Sequence, residues 1–576
     1  MPTRTISDAG GNWNAAATWA EGAVPTSADD VVANATSGNL TINATATCKS
    51  LVLTGYNAAS AVTHNSGITL TVVGNVTLTS GQYTAAADTS KLTITGSAAA
   101  LVTGGCLLGA LTYNKAAGTL TLGDNLAFRA GVGCLLTVQA GTLDLAGKTV
   151  AGNSATNRVL LASATLGTST AVTVSAGIFA NADFMDIAFA NGGANLDLSA
   201  ITGLSGDCGG NTITGGGTLT FTTSRVCNWK TVAGGNWSDA ANWDTTDATD
   251  RVPLPQDDVT FACAFSSGVT VLSDVPRVGA DIDWSSATWT GTAPIWRAST
   301  AITAFGSLAC ITGLQRYGIG FGLRLAGRGV HALLSAGYSP DSLYVDSGTY
   351  TMQDALTMNN GIYVTGSFAT DGYSLTTQYV LRAIGTATFD FSGSLVSVMS
   401  PGVYYSIVMS STATVVATGS TLRLGSLHNS YETALGPHVY NDIVLTPHAT
   451  RALTFSGNFS FHNMSMASAG ALTVKFTGGN SVTMTGDTFL SGTDGAPITL
   501  TSTNTSQFTL TLTGASDYVS SDWLSIDRCT VNDAAKWYAG ANSVDGGHNG
   551  TPTWTFGTPP PENLGNPQYY YRMMRG

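Results

Sequence analysis

Short stretches in which apolar and polar residues alternate recur along the chain at a near-constant step. Gly118–Leu122 (GTLTL) is followed 23 residues on by Gly141–Leu145 (GTLDL), and Gly217–Phe221 (GTLTF) repeats the pattern. Farther along, Ser347–Tyr350, Thr365–Phe368 and Ile384–Ala387 step by 18 and 19 residues, and Leu453–Phe455 returns as Val474–Phe476 after 21. A period of two turns one set of side chains inward on a half-buried strand. Glycine, Asn and Asp at the flanks supply the sharp turns. A step of about 20 residues matches one coil of a β-solenoid, in which each rung pairs with those above and below. Two antiparallel sandwiches or jelly rolls are the alternative, and they require two-residue Asn-Gly or Asp-Gly hairpins at roughly 8–12-residue spacing. Such turns are uncommon here, Asp371-Gly372 and Asp494-Gly495 being exceptions. The same-phase Gly-Thr-Leu segments favour parallel stacking, so the expected fold is all-β and of the right-handed parallel β-helix type.

A second, longer repeat divides the chain. Gly10-Gly11-Asn12-Trp13 with Trp19 six residues on recurs as Gly234-Gly235-Asn236-Trp237 with Trp243. Each copy is followed by a proline and an Asp-Asp-Val: Pro25 with Asp29, Asp30 and Val31, then Pro255 with Asp257, Asp258 and Val259. Two copies 224 residues apart predict two tandem modules, 1–224 and 225–557. A solenoid must cover its open ends, because a terminal rung carries unpaired backbone and bare core. Trp13 with Trp19, and Trp237 with Trp243, are therefore expected to form apolar caps. Asp29, Asp30, Asp257 and Asp258 are expected to hold the turn before the first strand. A calcium site at these aspartates is the functional alternative, but adjacent carboxylates without a longer oxygen-rich loop argue against it.

Composition narrows the function classes. Only 10% of the 576 residues are charged, 68 are glycine, and glutamate occurs three times, at Glu21, Glu432 and Glu562. Aspartate favours turns where glutamate favours helices, so the balance again means many turns and few helices. Hydrophobic residues at 43% suffice for a long thin core. A net charge of −12 makes a nucleic-acid partner unfavourable. No run of 18 apolar residues predicts a membrane span. The start, Met1–Asp8, lacks a basic region followed by an apolar core, which predicts no cleaved export signal.

Candidate chemistry is sparse. The eight cysteines show no Cys-x-x-Cys spacing and read as buried thiols. His428, His438 and His448 repeat every ten residues, with His462 beyond, but ten residues is half a coil and places alternate members on different sides. Leu314–Gly322 is glycine-rich without the lysine and Ser/Thr of a phosphate loop. A glycosidase would need two carboxylates about 5–9 Å apart; Asp341, Asp346, Asp354, Asp371 and Asp390 are the candidates, each also an ordinary turn residue. No catalytic residue, metal site or cofactor is assigned. Tyr338, Tyr344, Tyr350, Tyr363, Tyr373 and Tyr379 offer a glycan-stacking surface wherever they face outward.

The Gly-Asn-Trp-x5-Trp start with its Pro and Asp-Asp-Val, the rung at 141–150 (GTLDLAGKTV) and the segment 537–549 (WYAGANSVDGGHN) resemble phage-encoded and bacterial β-helix structural proteins across roughly residues 5–557. The resemblance implies a virion appendage or decoration, a fibre or spike, frequently trimeric, released by lysis and in some cases bound to a host-surface glycan. A polysaccharide-degrading tailspike and a bacterial surface adhesin are the alternatives. After Phe556 the composition changes: Pro559–Pro561 form a stiff linker in the segment 558–576. It leads to Tyr569, Tyr570, Tyr571, Arg572, Met573, Met574 and Arg575, residue types enriched in interface cores. This tail is expected to dock on another copy or another virion protein.

Overall fold

The computed structural model describes residues 2–557 and Pro559, apart from 58–59, 132–134, 175–177, 246–249, 299, 317–321, 401–405, 427–430, 447–451 and 515–517. Tyr569 to Arg575 therefore lie outside the described residues, as do His428 and His448. The described chain is β-strand with three single-turn 3-10 helices, Ala16–Thr18, Ala240–Asn242 and Ala534–Lys536. No helix among the described residues is long and apolar enough to cross a membrane.

Strands pair in parallel with the strand one coil later, so the fold is a β-solenoid. The two GTL segments lie directly on one another, with Leu120 opposite Leu143 and Thr121 opposite Asp144. The later repeat behaves alike, with Leu453 opposite Val474 and Phe455 opposite Phe476. Among the described ladders only Val226–Trp229 with Trp243–Thr245 is antiparallel, which excludes the hairpin-built sandwich.

The chain divides into two compact units, Met1–Tyr338 with Asp346–Thr349, and Ser339–Val345 with Tyr350–Gly576. Both copies of the tryptophan motif lie in the first. Its largest sheet joins nineteen strands between Thr3 and Thr214. The second unit contains a nine-stranded sheet that runs in strict chain order from Leu356–Met358 to Cys529–Val531. Its inward positions form a ladder of Leu356, Leu375, Val396, Leu422, Ile443 and Met464, each paired with the next and all buried. Burying such a side chain contributes about 1.5–3 kcal/mol, and identical placement in every coil makes the register self-reinforcing. Aromatic residues add a second ladder, in which Phe476 stacks on Phe455 at 5.5 Å and on Phe508 at 4.7 Å.

Candidate functional site

The two tryptophan motifs share the same ring-pair geometry. Trp19 Nε1 donates to the Trp13 carbonyl at 2.9 Å, and Trp243 Nε1 to the Trp237 carbonyl at 2.8 Å. The paired rings meet edge to face at 5.0 and 4.8 Å. The second glycine of each copy has a left-handed backbone (φ 136° at Gly11, 146° at Gly235). A Cβ on Gly11 would lie 2.6 Å from Thr18 Oγ1, and one on Gly235 would lie 2.6 Å from Asn242 Nδ2. Those two side chains in turn tie the backbone carbonyls of Asn12 and Asn236. Glycine is required there because the polar side chain of the helical turn presses onto the strand.

Asp29 and Asp257 lock the following turns. Asp29 Oδ2 accepts the Thr26 N–H and hydroxyl, and Asp257 Oδ2 accepts the Leu254 N–H at 2.7 Å. Each carboxylate also meets an arginine, Arg4 at 3.3 Å and Arg251 at 2.6 Å. Asp30 accepts Ser50 Oγ and pairs with Lys49, and Asp258 lies on the strand Asp258–Thr260. Donors of this kind suit a structural turn rather than a bound cation, and no cluster of metal-ligating side chains occurs among the described residues. A third 3-10 turn followed by a tryptophan lies in the second unit: Asp533 caps Ala534–Lys536, and Trp537 packs on Trp554 at 4.9 Å.

The remaining sequence candidates separate by burial. Tyr338 and Tyr350 are core residues. Tyr344 and Tyr363 point outward but lie flat on one another, at 4.7 Å and 9°, with the Arg382 guanidinium 6.0 Å from the Tyr363 ring. One face of each of these two rings is thus covered by the other, and Tyr373, 40% exposed, is the most exposed of the six tyrosines. Asp371 is a turn residue with φ 49°, Asp390 accepts Ser392, and Asp346 is held by Arg324. His438 bonds the Ser410 carbonyl, and His462 lies 3.4 Å from the Thr485 hydroxyl.

The densest charge in the first unit was invisible in sequence. Asp183, 1% exposed, is held by two arginines that are themselves 7% and 8% exposed: Arg158 Nε at 2.5 Å and Arg277 Nε. Burial pushes the Asp183 carboxyl upward, but the two guanidiniums outweigh it and hold it below the usual carboxylate range. Arg158 also donates to the carbonyls of Ala182, Gly203 and Leu204. Leu204, whose carbonyl Arg158 meets, adopts a left-handed φ of 64°. Gly206 lies against the site, where a Cβ would stand 2.0 Å from Asp183 Oδ1. Close by, Arg328 clasps Asp186 through two nitrogens, and the Gln256 amide bridges the carbonyls of Ser205 and Thr222. These bonds sew coils 178–222 to coils 251–328 side by side.

Beside this seam opens a cleft of about 490 Å³. Its lining includes the apolar Leu135, Leu160 and Phe305 and the hydroxyl-bearing Thr137 and Thr303. Arg277 and the Arg324–Asp346 pair belong to the same lining. That pair is bidentate, at 2.7 and 2.9 Å. Burial raises the Asp346 carboxyl despite the opposing effect of Arg324.

Comparison with known proteins finds no matching family, curated protein or solved structure.

Proposed function

We propose that this chain is a non-enzymatic structural component of a phage particle, a fibre, spike or decoration. In this reading it assembles as a homo-oligomer, with a trimer favoured, and docks through residues 558–576. The observation that supports it most is the ladder of parallel coils, in which the buried Asp29, Asp183 and Asp257 are each engaged by arginine. Its acidic, charge-poor, Thr/Gly-rich composition suits a virion protein made in the host cytoplasm and released by lysis. Contact with a host-surface glycan fits the same architecture. Deleting residues 558–576 is expected to abolish incorporation into particles while the solenoid stays folded; unchanged incorporation would refute docking by the tail.

One observation favours a second reading, a polysaccharide-degrading spike. Asp346 borders an open cleft with its carboxyl raised, as a general acid requires. The other buried carboxylate beside it, Asp183, is occupied by two arginines. An oligosaccharide-release assay on capsule and lipopolysaccharide separates the two: release abolished by Asp346→Asn supports the spike, and intact polysaccharide supports the structural reading.

A further inference from the structure

The cleft beside the seam carries an inference that does not depend on where the chain assembles. Its lining carries two guanidiniums, of Arg277 and Arg324, against one carboxylate, of Asp346. The local balance is positive in a chain whose net charge is −12. Within Arg277, Nε donates to Asp183 and Nη2 to the Arg158 carbonyl at 2.8 Å. Nη1 is left without a hydrogen-bond partner among the described residues, on a side chain more than nine-tenths buried that lines the cleft. A buried guanidinium with a nitrogen to spare is costly unless a ligand or water meets it.

The rest of the cleft specifies what such a ligand looks like. Its volume of about 490 Å³ falls in the range of small-ligand clefts, roughly 300–1,000 Å³. Leu135, Leu160 and Phe305 give the lining apolar side chains suited to the C–H face of a ring. Thr137 and Thr303 bring hydroxyl-bearing side chains to the same lining. The partly exposed Arg324, fixed by Asp346, presents a second cation to an anionic group. An apolar face, several hydroxyls and one carboxylate together describe a uronic-acid sugar. We infer that the cleft between coils 135–185 and 276–346 binds a carboxylate-bearing saccharide, with Arg277 and Arg324 receiving the carboxylate.

The test is calorimetric titration of the full chain with tri-galacturonate, with a neutral galactotriose and inorganic phosphate as comparison ligands. Saturable binding of the uronate is expected, with no heat from the neutral trisaccharide and no competition by phosphate. Arg324→Gln should weaken binding about tenfold or more. Because charge removal also disturbs the Asp346 pair, Ala164→Trp serves as a second variant. Ala164 is an exposed cleft-lining residue, and the indole would fill the cleft without altering a charge. Loss of binding in a folded Ala164→Trp protein supports the site. No binding of tri-galacturonate, equal binding of the neutral sugar, full competition by phosphate, or unchanged affinity in both variants would each overturn it.

Discussion

Replacing Asp183 with Asn probes the seam directly. The substitution keeps the shape of the side chain and removes one charge that two arginines share. Both guanidiniums are at least nine-tenths buried, so neither can turn to bulk water without opening the coils. Breaking a buried pair by removing one partner typically costs 3–5 kcal/mol. Asn retains one acceptor oxygen, and Arg158 keeps its three carbonyl partners, which places the expected loss near the lower end, at about 3 kcal/mol. Chemical denaturation followed by tryptophan fluorescence measures it, and hydrogen-exchange mass spectrometry localises it. Faster exchange is expected in 178–210 and 273–283, with the ladder 375–466 unchanged. Acid supplies an independent check. The Asp183 carboxyl is held below its usual range, so its stabilisation is present above the unfolded-state value. It is lost as pH falls through the folded-state value. Wild type and variant should therefore converge in strong acid. A loss under 1 kcal/mol at neutral pH, or protection unchanged on both sides of the seam, would refute the reasoning.

Three further outcomes follow from the same structure. Trp243→Ala removes a fully buried ring and its hydrogen bond to the Trp237 carbonyl, and should cost about 3–5 kcal/mol, with faster hydrogen exchange in coils 226–284; uniform protection would contradict a capping role. His64 is buried, donates from Nε2 to the Ile68 carbonyl and accepts the Tyr83 hydroxyl on Nδ1, so its native form is neutral. Burial pushes its pKa down to about 4 despite the Ile68 bond. The unfolded chain then binds the extra proton first, and stability should fall by up to about 3 kcal/mol as pH drops from 6.5 to 4; His64→Gln should remove that slope. Of the seven described thiols only Cys263 is not buried, and burial lifts Cys227 and Cys529 to about 12. A thiol reagent should modify Cys263 in the native protein and reach the other six only on unfolding.

The coil period was legible because each rung repeats the same local pattern: Leu120 meets Leu143, and Phe455 meets Phe476, in the phase the repeats imply. The paired tryptophans were legible as a duplicated motif, though not the reason for the glycines before them, which lies in the contacts of Thr18 and Asn242. The third turn was overlooked. It lacks the Gly-Gly-Asn-Trp prefix, and its partner Trp554 follows Trp537 rather than preceding it. Its signal was present all the same, as Ala-Ala-x-Trp recurs at Ala16–Trp19, Ala240–Trp243 and Ala534–Trp537. Strand phase could likewise have sorted the tyrosines, since Tyr344 and Tyr363 alternate with buried aliphatics whereas Tyr350 shares its phase with Met352. The seam had no sequence signal. Arg277 and Arg158 are 119 residues apart, and an isolated arginine between strands reads as an outward solvated residue until the neighbouring coils are in place.

The most direct test of the proposed role is the composition of purified particles from the source culture, read by peptide mass spectrometry with antibody-gold labelling to locate the chain. Stoichiometric recovery at one defined position on the particle is the predicted result. Particles free of the chain, with gold on intact cells instead, would contradict it and favour a surface adhesin.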